Sequence, residues 1–104
     1  MDTITQEQFQ AFAGVEGWRF AADAVRAQFR TGDFATGARL FTAIADLAEA
    51  ANHHPDVEVT YPSVRVTLTS HDAGGVTGKD AALAAAISQA AGDLGIEMED
   101  AAGR

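Results

Sequence analysis

Three histidines carry most of the chemistry this sequence can offer. His53, His54 and His71 are the only histidines, and all lie between Glu49 and Asp80. Near neutral pH an imidazole exists in both protonated and neutral forms, as general acid–base catalysis requires. His53 and His54 are consecutive, so their side chains diverge and reach a ligand from different directions. Glu49 precedes His53 by four residues, a spacing that puts two side chains on one helix face. A carboxylate there can accept a hydrogen bond from one ring nitrogen and fix which nitrogen stays free. His71 follows a predicted strand, and a hairpin with the strand before it brings His71 toward the other two.

Each of these residues also has a plainer job. Glu49 reads as a solvated helix charge, Asp72 as a turn residue and Tyr61 as a core aromatic. Asp80 has the spacing of a helix cap, and Gly74-Gly75 that of a tight turn. Three histidines in one structural unit, in a chain with no others, raise the case for a site to equal standing with those plainer readings. Zinc is the weaker reading of the trio, because an H-x-x-x-H spacing is absent and adjacent histidines rarely chelate one ion. Ser70 beside His71 makes no nucleophilic triad, and Gly74-Gly75 lacks the longer pattern and basic partner of a phosphate loop.

Composition narrows the classes. The chain has 104 residues, enough for one domain and one modest core. Fifteen acidic residues against seven basic ones give a net charge of −8, which disfavours nucleic acid and anionic membrane surfaces as partners. There is no cysteine, so disulfides, thiolate metal sites and cysteine nucleophiles are excluded. No signal peptide or membrane span is visible, and a cytoplasmic protein is the simplest reading.

The elements that must position the histidines follow from periodicity. Residues 4–13 read as a short helix, with Thr5 and Gln8 at capping-box spacing and Ile4 placed to pack on Phe9. Strands are expected at 18–22 and 24–30, the second alternating Val25, Ala27, Phe29 against Arg26, Gln28, Arg30. Asp33 is a good N-cap for a helix from Phe34 to Ala51, expected to turn its Phe34/Phe41/Ile44 face inward. Pro55 ends that helix. Val57, Val59 and Tyr61 read as one half-buried strand, and Val64, Val66 and Leu68 as another. By parity His71 falls on the Arg65/Thr67/Thr69 face. Thr77 and Asp80 form a Thr-x-x-Asp capping box before a last helix that ends near Gly92 or Gly95. The expected fold class is α+β: a four-stranded antiparallel sheet with helices packed on one face, in the order α-β-β-α-β-β-α. Residues 1–96 form the domain, and 97–104 read as a frayed acidic tail.

With those residues in view, the segment resembles the pterin-4a-carbinolamine dehydratase family. The pattern is an acidic residue (Glu49), three residues, His53-His54-Pro55, five residues, an aromatic (Tyr61), nine residues, His71, a short gap and Asp80. Asn52, the Ser70-to-Thr77 run, Trp18 and the Asp33-Phe34 helix start are also similar, so the resemblance spans roughly residues 14–92. Asp56-Val57 departs from relatives that often carry a larger aromatic there. The resemblance implies the same α+β fold and a hydro-lyase that removes water from a 4a-hydroxytetrahydropterin, giving the quinonoid dihydropterin in tetrahydrobiopterin recycling. It implies His53 and His54 as the acid–base pair, with His71 binding and orienting the substrate. Asn52, Thr69, Ser70 and Asp72 would contact the pterin, and Glu49 and Asp80 would support the histidines. No metal and no bound cofactor are implied, and the protein is expected to be a homodimer or homotetramer. The alternative is a non-catalytic interaction or dimerisation module on the same scaffold.

Overall fold

The computed structural model describes residues 2–99. The chain runs α1 (Gln6–Gln10), β1 (Arg19–Ala21), β2 (Ala24–Arg30), α2 (Phe34–Ala51), β3 (Asp56–Val59), β4 (Ser63–Leu68), α3 (Gly78–Asp93) and β5 (Glu97–Met98). The first seven elements follow the expected α-β-β-α-β-β-α order, and the fold is α+β as read from periodicity.

Both ββ pairs form antiparallel hairpins, and their inner strands meet to give the sheet order β1-β2-β4-β3. The central β2–β4 pairing sets Val25 opposite Leu68, Ala27 opposite Val66 and Phe29 opposite Val64. One face therefore holds an unbroken apolar layer. The other presents Arg26, Gln28, Arg30, Arg65 and Thr67. Leu40 and Ile44 from α2 and Leu83, Ala84, Ile87 and Ala91 from α3 close over the apolar face. Fully burying a Val, Leu, Ile or Phe side chain contributes about 1.5–3 kcal/mol, so this layer is the main support of the site built on its edge.

Caps fix where the helices begin. Thr5 and Gln8 form a reciprocal capping box on α1, and Asp33 accepts from the Thr36 amide at 2.8 Å to start α2. Thr77 and Asp80 form the same box on α3. The β1–β2 turn, which no Asn-Gly pair marks, places Ala22 at φ 55°.

Four expectations are corrected. The buried face of α2 is Gly37/Leu40/Ile44/Ala48, whereas Phe34 and Phe41 are 57% and 44% exposed. A helix can approach β3 and β4 closely only where it carries no bulk. A Cβ on Gly37 would stand 3.2 Å from Val59 Cγ1, so the large phenylalanines turn outward. Tyr61 is 68% exposed because β3 stops at Val59 and the chain turns at Thr60–Ser63. The parity argument for His71 ends with β4 at Leu68; His71 sits in the turn that follows. The supposed tail contributes β5: Met98 pairs with Phe29, Glu97 with Arg30, and Ile96 is buried. β5 occupies the flank of β2 that short β1 leaves open, and Met98 fills the space beside side-chain-free Gly17. The remainder of the expected tail, 100–104, lies outside the described residues.

Candidate active site

The site begins where α2 ends. Asn52 adopts the left-handed conformation, φ 51° and ψ 46°, with its amide bonded to the Ala48 and Glu49 carbonyls. His53 N then donates to the Ala48 carbonyl at 3.1 Å. This cap stops the helix and reverses the chain, and Asn is among the few residues that tolerate it. His53 and His54 consequently leave in different directions, one inward and one outward.

His53 turns inward, its side chain 13% exposed, and its Nε2 lies 2.6 Å from Oδ1 of fully buried Asp80. The other carboxylate oxygen of Asp80 accepts from Ser70 Oγ at 2.8 Å and from the Thr77 amide at 2.9 Å. Ser70 Oγ also lies 2.9 Å from Thr77 Oγ1. A carboxylate can only accept, so the His53 nitrogen that faces it carries the hydrogen. Nδ1 is then the nitrogen left for a ligand. Asp80 both closes the capping box of α3 and orients His53.

His54 turns outward. Its Nε2 meets Glu49 Oε2 at 2.7 Å, with both side chains more than half exposed. The sequence spacing pairs Glu49 with His53; the structure gives Glu49 to His54 and Asp80 to His53. The αL turn at Asn52 is the reason, because it takes the chain off the helical path before either histidine.

His71 arrives from the other side. Ser70 and Gly75 form an isolated antiparallel bridge closing a tight turn, with Gly74 at φ 78°. Thr69 is tied down through its hydroxyl to the Asp23 carbonyl. The turn projects exposed His71 and Asp72 over the end of α2.

These parts enclose a cavity of about 440 Å³. Its wall includes every expected substrate-contacting residue: Asn52, His53, His54, Thr69, Ser70, His71 and Asp72. Ala73, Thr77 and Lys79 also line it and were not anticipated. Thr77 was legible only as a cap. Lys79 carried a weak signal as the sole lysine of the chain. Among the described residues no group of three His, Asp or Glu side chains is arranged to hold a metal ion, and no helix is long and apolar enough to cross a membrane.

An antiparallel sheet backed by two helices, with a cavity at the helix ends lined by three histidines, defines an α+β domain. Comparison with known proteins gives the family. Residues 2–90 match the family described as pterin 4 alpha carbinolamine dehydratase. A relative from Aquifex aeolicus, provisionally named a pterin-4-alpha-carbinolamine dehydratase, is 42% identical over 84 residues, covering 81% of this chain and 85% of its own. One from Rhodopseudomonas palustris with the same provisional name is 42% identical over 93 residues, covering 88% and 92%. Among solved structures, a transcriptional coactivator/pterin dehydratase from Brucella melitensis superposes with a TM-score of 0.78 at 29% identity, covering 86% of this chain and 99% of that one. A pterin dehydratase-like protein described as a RuBisCO assembly factor in the alpha-carboxysome superposes at 0.61 with 25% identity, covering 74% and 92%. The chain belongs to the pterin-4-alpha-carbinolamine dehydratase family.

Proposed function

We propose that this protein is a hydro-lyase that converts a 4a-hydroxytetrahydropterin to the quinonoid dihydropterin and water. The observation that carries the reading is the buried Asp80 carboxylate, bonded to Ser70, Thr77 and His53, behind a cavity that His54 and His71 also line. The reaction breaks the C4a–O bond and the N5–H bond and forms a C4a–N5 double bond. It needs an acid to protonate the departing hydroxyl and a base to take the N5 proton, so the proton count balances without a redox partner. His53 and His54 form the acid–base pair. Asp80 stabilises the imidazolium of His53 and holds its Nδ1 toward the cavity. His71 binds and orients the ring, with Asn52, Thr69, Ser70 and Asp72 contributing polar contacts. A separate two-electron reduction of the product, by a reductase, would return a tetrahydropterin cofactor to use in the cytoplasm.

The deciding experiment is dehydration of a synthetic 4a-hydroxytetrahydropterin, followed as formation of the quinonoid product. The purified protein should exceed the buffer rate, and His53→Ala or His54→Ala should each lower kcat at least tenfold, given that acid–base groups supply about 10²–10⁴-fold. Full activity in both variants defeats these roles.

A second reading, a protein-interaction module on the same scaffold, draws on the names of the two structural neighbours and on exposed Phe34, Phe41 and Tyr61. It requires a specific protein partner whose capture survives replacement of all three histidines.

A further inference from the structure

Two cavities meet at His53 and Lys79. The first is the polar cavity above. The second is a groove of about 370 Å³ between the end of α2 and the start of α3, walled by Leu47, Ala50, Ala51, Ala82, Leu83 and Ala86. Both volumes are in the range of small-molecule pockets, about 300–1,000 Å³. Four of the six wall residues end at Cβ, so the facing helices leave an open slot instead of interlocking there. Beyond the two shared residues, the groove wall offers no polar side chain.

We propose, resting on the dehydration reading, that this groove is a subsite for the substituent at C6 of the pterin. The chain would then favour carbinolamines whose 6-substituent is aryl or alkyl over those carrying a hydroxylated chain. The connectivity of the ring sets the path. The hydroxyl leaves C4a, the proton leaves N5, and C6 is bonded directly to N5. A histidine that serves C4a or N5 therefore stands close to whatever C6 carries. His53 is such a histidine and is also a wall of the groove, so the slot begins where the substituent leaves the ring. A hydroxylated chain laid there would give up water without regaining hydrogen bonds beyond the junction. An apolar group gains by leaving water.

The test compares kcat/KM for the 4a-carbinolamines of 6-phenyl-, 6-methyl- and 6-(dihydroxypropyl)-tetrahydropterin. Calorimetric binding of the corresponding 7,8-dihydropterins, which do not dehydrate, reads the subsite without turnover. The phenyl compound should lead the dihydroxypropyl one by about tenfold or more in both measurements, the scale at which apolar pockets discriminate. Ala82→Glu places a carboxylate in the slot from an exposed helical position and should collapse that ratio. Ala35→Glu, the same change at an exposed position on the first turn of α2, should preserve it. Equal values for the three compounds, or a ratio indifferent to Ala82→Glu, overturn the subsite while leaving the dehydratase reading intact. Acceleration of none of the carbinolamines overturns the dehydratase reading and, with it, this proposal.

Discussion

Asp80 concentrates two jobs in one carboxylate, and the two can be separated by substitution. Asp80→Asn keeps an oxygen to accept from the Thr77 amide but turns an N–H group toward the His53 nitrogen that carries a hydrogen. The imidazole then loses its orienting acceptor. The expected outcome is a kcat for carbinolamine dehydration lowered by about 10²-fold, with a thermal midpoint close to wild type. Asp80→Ala removes the acceptor of Ser70, Thr77 and His53 together. A buried polar group left unsatisfied costs about 1–3 kcal/mol, so this variant should lose activity and several degrees of melting temperature. Equal activity in Asp80→Asn and wild type would remove Asp80 from the chemistry and leave it a cap. At this scale the sequence was informative about which residues meet and misleading about how they pair. The His-His-Pro and Asp80 positions were legible, but Glu49 was matched to His53 on the assumption of a continuing helix. One left-handed residue, Asn52, exchanged the partners, and a φ angle leaves little trace in a residue pattern.

Element spans are legible wherever pattern and propensity agree, and hidden where a single backbone requirement overrides them. α2 shows both. Its span was legible from Asp33 and from apolar recurrence, yet its inward face was assigned to the largest side chains, whereas the close contact with β3 and β4 is made by Gly37, which gives no hydrophobic signal. β5 was missed because two residues carry no usable periodicity; only its place beside β2 makes it a strand. Asp33 makes the start of α2 sensitive to acid. Hydrogen bonds from Thr36, with the Arg39 charge nearby, hold its carboxyl below the ordinary value of 3.8. Because the folded-state value is depressed, the carboxylate's stabilising contribution is present above 3.8 and is lost as pH falls through the folded value. Thermal melts of wild type and Asp33→Asn should therefore differ most at neutral pH and converge in strong acid; a gap that is constant with pH would contradict this. The β1–β2 turn offers a gain in stability. Ala22 is a Cβ-bearing residue in the left-handed region, and Ala22→Gly should stabilise the protein by on the order of 0.5–1 kcal/mol in urea unfolding.

At the scale of the whole molecule, charge and exposed apolar surface pull in opposite directions. A net charge of −8 on 104 residues makes copies repel one another at low ionic strength. Phe34 and Phe41, seven residues apart and both exposed, form an apolar ridge on the outer side of α2, and among the described residues β3 has no strand partner on its outer edge. A second copy of the chain would cover both features. Sedimentation equilibrium should accordingly give a mass at least twice the 10.8 kDa of one chain. Association should tighten as salt is raised, because the Debye length shrinks to about 10 Å at 0.1 M and the repulsion is screened while apolar contact is not. Phe41→Glu adds a charge to the ridge and should shift the population toward monomer without lowering the melting temperature of the isolated chain, since Phe41 is not part of its core. A mass of one chain at every salt concentration would assign the ridge to another partner and favour the interaction-module reading over self-association.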